Sequence, residues 1–362
     1  MKVLGIKTSC DECAAAIVED GKTILSNVVA TQIPFHAKYS GVVPEIASRM
    51  HTEWISAVVQ EALDMASLKA SDVDAVAATS HPGLMGSLLV GLSFAKAFAW
   101  ARGIPFMAVD HMLAHLYAHQ LKSKEQGAES NEQKAEGNYP FLGLLVSGGH
   151  SIICRADNFD DITVLGATID DAVGEAFDKV SKHYGFGYPG GAVIDRLAKT
   201  GNAEAFRFPM PNLHKGGNNG FDNHRYDVSY SGLKTAVINQ LDLFRNGPAP
   251  ENGDSRADIA ASFQKTAVDI LLRSLFRAVG DTGLSTIVAG GGVAANSRLR
   301  AALAEHAASR QNLRCIFPSP ELCGDNGAMI AGLAYQYLAR GEQSSLKVTA
   351  SARVKSFKRR YP

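Results

Sequence analysis

Short apolar runs separated by polar turns dominate the first thirty residues. Residues 3–6 and 14–18 read as strands, and Asp20-Gly21 marks a tight hairpin into a third strand over 23–29. Between the first two strands lies Thr8-Ser9-Cys10-Asp11-Glu12, a polar turn at a strand end. After Pro44 the period changes to that of an amphipathic helix over about 45–68, with Ile46, Trp54, Ile55, Val58, Val59, Ala62 and Leu63 as its apolar positions. A strand over 73–78, a small-residue turn at Pro82-Gly83 and Gly86, a helix through Trp100 and a strand over 106–109 follow.

From Lys122 to Asn138 the composition turns to Ser, Glu, Gln, Lys, Gly and Asn, which predicts a surface loop or linker. The first pattern then starts again. A strand over 141–146 leads into the polar turn Ser147-Gly148-Gly149-His150, a strand over 151–154, a hairpin at 157–161 and a strand over 162–165. The repeated order carries no residue-level identity, so it supports an internal duplication only at the level of pattern. Next come a helix over 171–184, a glycine-rich turn at 185–191, low-complexity loops around 215–224 and 245–254, a helix over about 259–279 and a strand over 286–289. Cys323-Gly324-Asp325-Asn326-Gly327-Ala328 opens a last apolar helix over 329–338, which Asp325 is placed to cap. Strands alternating with helices predict α/β layers with mixed sheets. The expected organisation is a first domain over 1–121, a loop over 122–138, a second domain over 139–340 and a basic tail over 341–362.

Composition narrows this picture. A chain of 362 residues has room for two domains, and 46% apolar with 20% charged residues excludes a disordered polypeptide. Lys plus Arg equals Asp plus Glu at 36 each, which argues against a surface coated in nucleic-acid-binding charge but not against a local patch. The last sixteen residues carry Lys347, Arg353, Lys355, Lys358, Arg359 and Arg360 and no acid, so that end either meets phosphates or is simply solvated. Five cysteines do not make a disulfide framework, and the lone C-x-x-C of Cys10 and Cys13 is a weak redox or metal signal. The N-terminus turns polar by Lys7, and no apolar run approaches a membrane span; a cytoplasmic protein is expected.

Two clusters carry candidate chemistry. His111 and His115 follow a strand directly. If the chain turns helical at Asp110, both imidazoles share one face and could hold a divalent cation, given a third ligand. Spacing alone fits ordinary helix histidines equally well. A zincin would need H-E-x-x-H, and Met112 stands where its general base would be. The other cluster is a set of glycine turns at Ser147–His150, 187–191 and 290–292, whose backbone N–H groups could approach phosphates. None fits the Rossmann or P-loop fingerprint, but three at strand ends in one half of the chain suggest one nucleotide cleft. Asp178 and Asp195 flank them as candidates for hydroxyl recognition, while Asp170 and Asp171 read as helix N-terminal charge.

Taken together, these motifs resemble the tRNA threonylcarbamoyladenosine transferases of the TsaD type, long labelled glycoprotein endopeptidases. The likeness runs from Val3 to about Arg340. It includes Thr8–Glu12, His111-Met-Leu-Ala-His115, Val146-Ser-Gly-Gly-His150, Asp170–Lys179, Tyr188-Pro-Gly-Gly191, Tyr230–Thr235, Gly290–Asn296 and Asp325-Asn-Gly-Ala-Met329. The resemblance implies an actin-like ATPase (ASKHA) fold, with two duplicated ribonuclease-H-like α/β domains around a cleft. It implies His111, His115 and Asp325 as metal ligands, with Fe(2+) the usual metal, so that the metal would join the two halves of the chain. Leu145, Val146, Ser147, Gly148, Gly149, Asp178, Gly191, Asp195 and Asn296 would line the nucleotide or substrate site.

The implied reaction moves the threonylcarbamoyl group of threonylcarbamoyl-AMP to the N6 amine of the adenosine 3′ of the anticodon, position 37, in tRNAs reading ANN codons. A smaller paralogous partner (TsaB type) and an ATPase (TsaE type) are implied as well. Two residues depart from the family pattern: Lys7, where Glu is usual, and Cys13, where Thr is usual. The loops over 122–138 and 211–227 are also long. The donor is a mixed anhydride, already activated, so orientation of the amine and stabilisation of the carbonyl charge, with the metal as Lewis acid, should suffice. No general base is assignable, Asp11 and Glu12 being candidates only. The rival readings are a sugar or acyl kinase of the same fold, a metallopeptidase, and a non-catalytic partner protein, which should lack the metal histidines.

Overall fold

The apolar runs become two six-stranded mixed sheets with the same strand order. The computed structural model describes residues 1–39, 41–123, 139–213, 224–246, 255–310, 312–354 and 357–359. The expected linker from 124 onward, most of the two low-complexity loops, and Lys355 and Arg360 of the basic end lie outside the described residues.

The first sheet contains β1 (Lys2–Lys7), β2 (Glu12–Glu19) and β3 (Thr23–Thr31), and the short helix α1 (Ile33–His36) and the long helix α2 (Pro44–Met65) follow. Then come β4 (Ala75–His81), α3 (Met85–Arg102), β5 (Phe106–Asp110), α4 (His111–Tyr117) and β6 (Lys122–Ser123). The order is β5-β4-β1-β2-β3-β6, with β1 antiparallel to β2 and parallel to β4. The second sheet starts with β7 (Phe141–Val146), β8 (Ser151–Ala156) and β9 (Ile162–Ala167), then the helices α5 (Val173–Tyr184), α6 (Gly190–Ala198), α7 (Ser231–Asn246) and α8 (Ser255–Thr282). β10 (Thr286–Gly290), α9 (Ser297–Ser309) and β11 (Arg314–Ile316) follow, before α10 (Pro320–Cys323), α11 (Gly327–Ala339) and finally β12 (Lys358–Arg359). Its order is β11-β10-β7-β8-β9-β12, with β7 antiparallel to β8 and parallel to β10. The pattern repeat in the sequence is thus a repeat of topology. Lys358 and Arg359 of the basic end pair with Thr163 and Val164 as an edge strand.

The chain divides into two compact units. The first holds 1–139, 158–162 and 318–357; the second holds 140–157, 163–317 and 358–362. This differs from the boundary expected at 340, because α11 belongs to the first unit. Its apolar pattern says that it is buried but not against which sheet. The match lies in small residues. Along β1 and β2, Leu4, Ile6, Cys13, Ala15 and Ile17 point into a core built with α2 and α3. The alternate positions include Gly5 and Ala16, and there α11 lies almost backbone to backbone: a Cβ on Gly327 would fall 2.6 Å from the Ala16 nitrogen. Both faces of these strands are therefore buried, as their continuous apolar runs require.

A polar network ties α2 to the turn between β1 and β2. His51 is fully buried and donates from Nε2 to the Cys10 carbonyl at 2.8 Å, and its Nδ1 lies 3.5 Å from Gln32 Nε2. Gln32 Nε2 also donates to the Ala47 carbonyl, and Gln32 Oε1 lies 3.2 Å from His36 Nε2. One tautomer of each imidazole satisfies every one of these contacts. Burial pushes the His51 imidazole down to about 4, against the pull of the Cys10 carbonyl.

Two predictions follow from this packing. A Cβ at Gly5 would lie 2.3 Å from the Gly327 carbonyl oxygen and 2.5 Å from the Ala331 nitrogen, neither able to step aside. Gly5→Val should therefore cost about 3 kcal/mol or more in denaturant unfolding; unchanged stability would mean that α11 is not seated there. For His51, the unfolded chain binds the extra proton between about pH 6.5 and 4 while the folded chain does not. Stability is complete above that window and should fall through it by about 3 kcal/mol as pH is lowered. His51→Gln should flatten that slope, and a slope equal to the parent's would show that His51 does not carry it.

Candidate metal centre and glycine-lined hollow

The strand β5 ends at Asp110, whose Oδ1 accepts hydrogen bonds from the Met112 nitrogen at 2.6 Å and the Leu113 nitrogen at 3.1 Å. This N-cap fixes where α4 begins, so His111 and His115 share one face and meet edge to face with ring centroids 4.6 Å apart. The rest of α4 is buried, including Met112, Leu113, Leu116 and Tyr117. Asp325 enters from the turn ahead of α11. Its Oδ1 lies 3.1 Å from His115 Nε2 and 3.4 Å from His111 Nε2, and donor atoms of all three side chains fall within 4.8 Å of one another.

Burial drives the His111 imidazole down to about 3 against the attraction of Asp325, with His115 and Lys7 adding to the fall. His111 is therefore neutral near pH 7 and keeps a lone pair for a metal. His115 Nδ1 is buried with no hydrogen-bond partner among the described residues. Two imidazoles and one carboxylate converging with a nitrogen to spare fit a divalent transition metal, and the 2-His-1-carboxylate set is one that Fe(2+) favours.

Asp325 does not cap α11. Asn326 does, its Oδ1 accepting from the Met329 nitrogen at 2.9 Å while its Nδ2 donates to the Gly324 carbonyl at 2.9 Å. That leaves the Asp325 carboxylate to the histidines and to Lys7, whose ammonium contacts Oδ2. Burial opposes the charge on Asp325, but Lys7 and then the two histidines outweigh it and hold the carboxyl well below the usual range. All three triad residues lie in the first unit, although Asp325 comes some two hundred residues after the histidines. The reason is again α11, which carries Asp325 back to β1 and β2.

Around the triad, Ser9 Oγ lies 3.5 Å from His111 Nδ1. Burial raises the Glu12 carboxyl to about 7, against the pull of Lys7 and with Asp325 and Asp11 pushing the same way as burial. In the C-x-x-C, burial and then Asp11 raise the Cys10 thiol, and burial pushes Cys13 up to about 12, which disfavours the reactive thiolate. All five cysteines are free.

The second unit holds a hollow of about 540 Å³ that gathers Gly148, Asp178, Gly191, Asp195 and Asn296, five of the nine residues expected at the nucleotide site. Phe177, Pro189 and Val293 add apolar walls; they stand within the quoted motifs but were not among the expected site residues. Leu145 and Val146 are fully buried in β7 and do not line it; Ser147 and Gly149 sit in the adjoining turn, where Ser147 Oγ accepts from the His150 nitrogen. The acids at the rim have fixed positions. Asp178 Oδ1 accepts from the Gly190 nitrogen at 2.7 Å, and Asp195 Oδ1 accepts from the Ser297 nitrogen and hydroxyl. Asn296 caps α9 through the Leu299 nitrogen and donates to Gln264 Oε1 at 3.0 Å.

Asp170 and Asp171 do more than charge their own helix. Asp170 accepts from the Ser229 hydroxyl and the Tyr230 nitrogen ahead of α7, and Asp171 pairs with Lys179 and Lys234.

Comparison with known proteins shows the family and the fold. The family model for tRNA N6-adenosine threonylcarbamoyltransferase matches residues 23–332. The protein of that description from Treponema denticola is 62% identical, covering 99% of each chain. The one from Treponema pallidum is 54% identical over 99% of this chain and 95% of its own. Among solved structures, full-length HypF in a phosphate- and nucleotide-bound form superposes with a TM-score of 0.54 at 14% identity, over 95% of this chain and 47% of that one. The fold is the expected actin-like ATPase fold.

Proposed function

The chain belongs to the tRNA N6-adenosine threonylcarbamoyltransferase family, and from that premise we propose that His111, His115 and Asp325 hold its metal and that the hollow of the second unit takes the nucleotide part of its donor. The enzyme is an acyltransferase that modifies the N6 amine of adenosine in tRNA. We take the donor to be threonylcarbamoyl-AMP and the acceptor to be adenosine 37 of tRNAs reading ANN codons. The observation that carries the metal assignment is the convergence of two imidazole nitrogens on one carboxylate oxygen in a largely buried pocket.

When bound, a divalent cation, which we propose to be Fe(2+), supplies Lewis acidity toward the donor carbonyl. The chain's own residues do the rest. Asp110 fixes the turn that aims both imidazoles, and Asn326 frees Asp325 from capping. Glu12, whose carboxyl burial raises to about 7, is one of the two candidate bases. In the hollow, Gly148 and Gly191 leave open space where a side chain would stand, which lets a phosphate or ribose approach the backbone.

The rival readings lose support. The curated relatives share one transferase description, and Met112 removes the base that a zincin needs. A smaller paralogous partner and an ATPase would complete the system, in the cytoplasm. Among the described residues no helix is long and apolar enough to cross a membrane.

Transfer of label from threonylcarbamoyl-AMP to unmodified tRNA, with and without added partners, tests the assignment. His111→Ala should abolish transfer and leave the circular dichroism and melting curve of the fold intact; full activity would overturn the metal role. Gly191→Val places a branched side chain in open space of the hollow without forcing a positive φ. It should weaken AMP binding in calorimetry by about tenfold, roughly 1.4 kcal/mol, and unchanged affinity would move the nucleotide elsewhere.

A further inference from the structure

Lys7 is a buried cation to which the proposed reaction gives no role. Its side chain is fully buried at the end of β1. The ammonium contacts Asp325 Oδ2, lies 3.1 Å from Glu12 Oε2 and 3.4 Å from the Glu12 carbonyl oxygen. The other oxygen of the same carboxylate, Oδ1, faces His111 and His115. Asp325 is thus divided, one oxygen toward a fixed cation and one toward the imidazoles. Two carboxylates, Asp325 and Glu12, thus face one ammonium in a dry pocket.

We propose that Lys7 is a positioning residue that confines Asp325 to a single oxygen toward the metal and weakens metal binding at the triad, keeping the metal exchangeable. The inference rests on the reading of His111, His115 and Asp325 as the metal site. Two physical effects carry it. An ammonium on Oδ2 denies a metal the second carboxylate oxygen, so chelation by both is excluded. It also sets a like charge a few ångströms from the incoming cation, in surroundings that screen poorly.

The test is calorimetric titration of the chelator-stripped full chain with Mn²⁺, which needs no catalysis. Parent protein should bind one equivalent and His111→Ala should not; if His111→Ala binds as the parent does, the metal-site reading falls and takes this proposal with it. With that control satisfied, Lys7→Gln should bind Mn²⁺ at least tenfold tighter, and equal or weaker binding overturns the role of Lys7 while leaving the triad standing. Lys7→Gln could unfold the unit by stranding Glu12. The double variant Lys7→Gln/Glu12→Gln therefore removes the ammonium together with the carboxyl it would strand. It should still bind at least threefold tighter, since only the hold on Oδ2 has gone; equal or weaker binding overturns the proposal.

Discussion

The seating of α11 on the small-residue face of β1 and β2 is the constraint on which the proposed metal centre depends. Gly5, Ala16 and Gly327 allow backbone to approach backbone, at distances that leave no room for a Cβ. Asp325 stands two residues ahead of that helix and cannot shift unless the helix does. The other end of the same helix reaches the end of α4, where Gln336 donates to the Tyr117 hydroxyl at 2.8 Å and Tyr117 donates to the Gly21 carbonyl. Ligands some two hundred residues apart in sequence are therefore fixed to one sheet. Close packing of this kind transmits small displacements without absorbing them, which suits a site whose donor atoms must agree within a few tenths of an ångström.

A second regularity is that each functional side chain sits beside a residue that does local structural work. Asp110 caps α4, and His111 is free to aim its ring. Asn326 caps α11, and the carboxylate of Asp325 is left for charge. Asn296 caps α9 while Asp195 braces the same helix start through Ser297. The unpaired N–H groups of a helix start need an acceptor. Supplying it from the neighbour, at a net gain of about 1 kcal/mol per cap, keeps the functional group out of that contest.

These neighbours also mark how much the sequence could say. The i, i+4 spacing of His111 and His115 was readable, because a helix places such pairs on one face. Asp325 came from family likeness; by local pattern it was a cap, and nothing in spacing separates Asp325 from Asn326 in that role. The strand order was foreshadowed by the repeated strand–turn–strand pattern, whereas the placement of α11 was not. A helix apolar on most of its faces, Met329, Ile330, Leu333 and Leu338 among them, declares burial without naming its partner. The small residues that do name it, Gly5 and Ala16 against Gly327 and Ala331, are legible only once both are seen together. In the hollow, Asp178 and Asp195 were found because acids beside glycine turns are conspicuous. Phe177 and Val293 stood within quoted motifs but were not singled out, since apolar walls look like any core position.

The charge arrangement at the triad explains why so polar a pocket persists in the first unit. Lys7, Glu12, Asp325 and two imidazoles occupy space that apolar side chains could fill, and a buried ion pair repays little beyond the cost of drying its charges. The pairing therefore buys direction more than stability. Lys7 is held by two carboxylates and holds both in return, so Asp325 presents the same oxygen to His111 and His115 whether or not anything binds there. Glu12 pays a visible cost in that balance: it shares one ammonium with a stronger partner, and burial then lifts its carboxyl to about 7, into the range where a proton can be exchanged near neutrality. One lysine thus holds the Asp325 carboxylate on one side and faces the raised Glu12 carboxyl on the other.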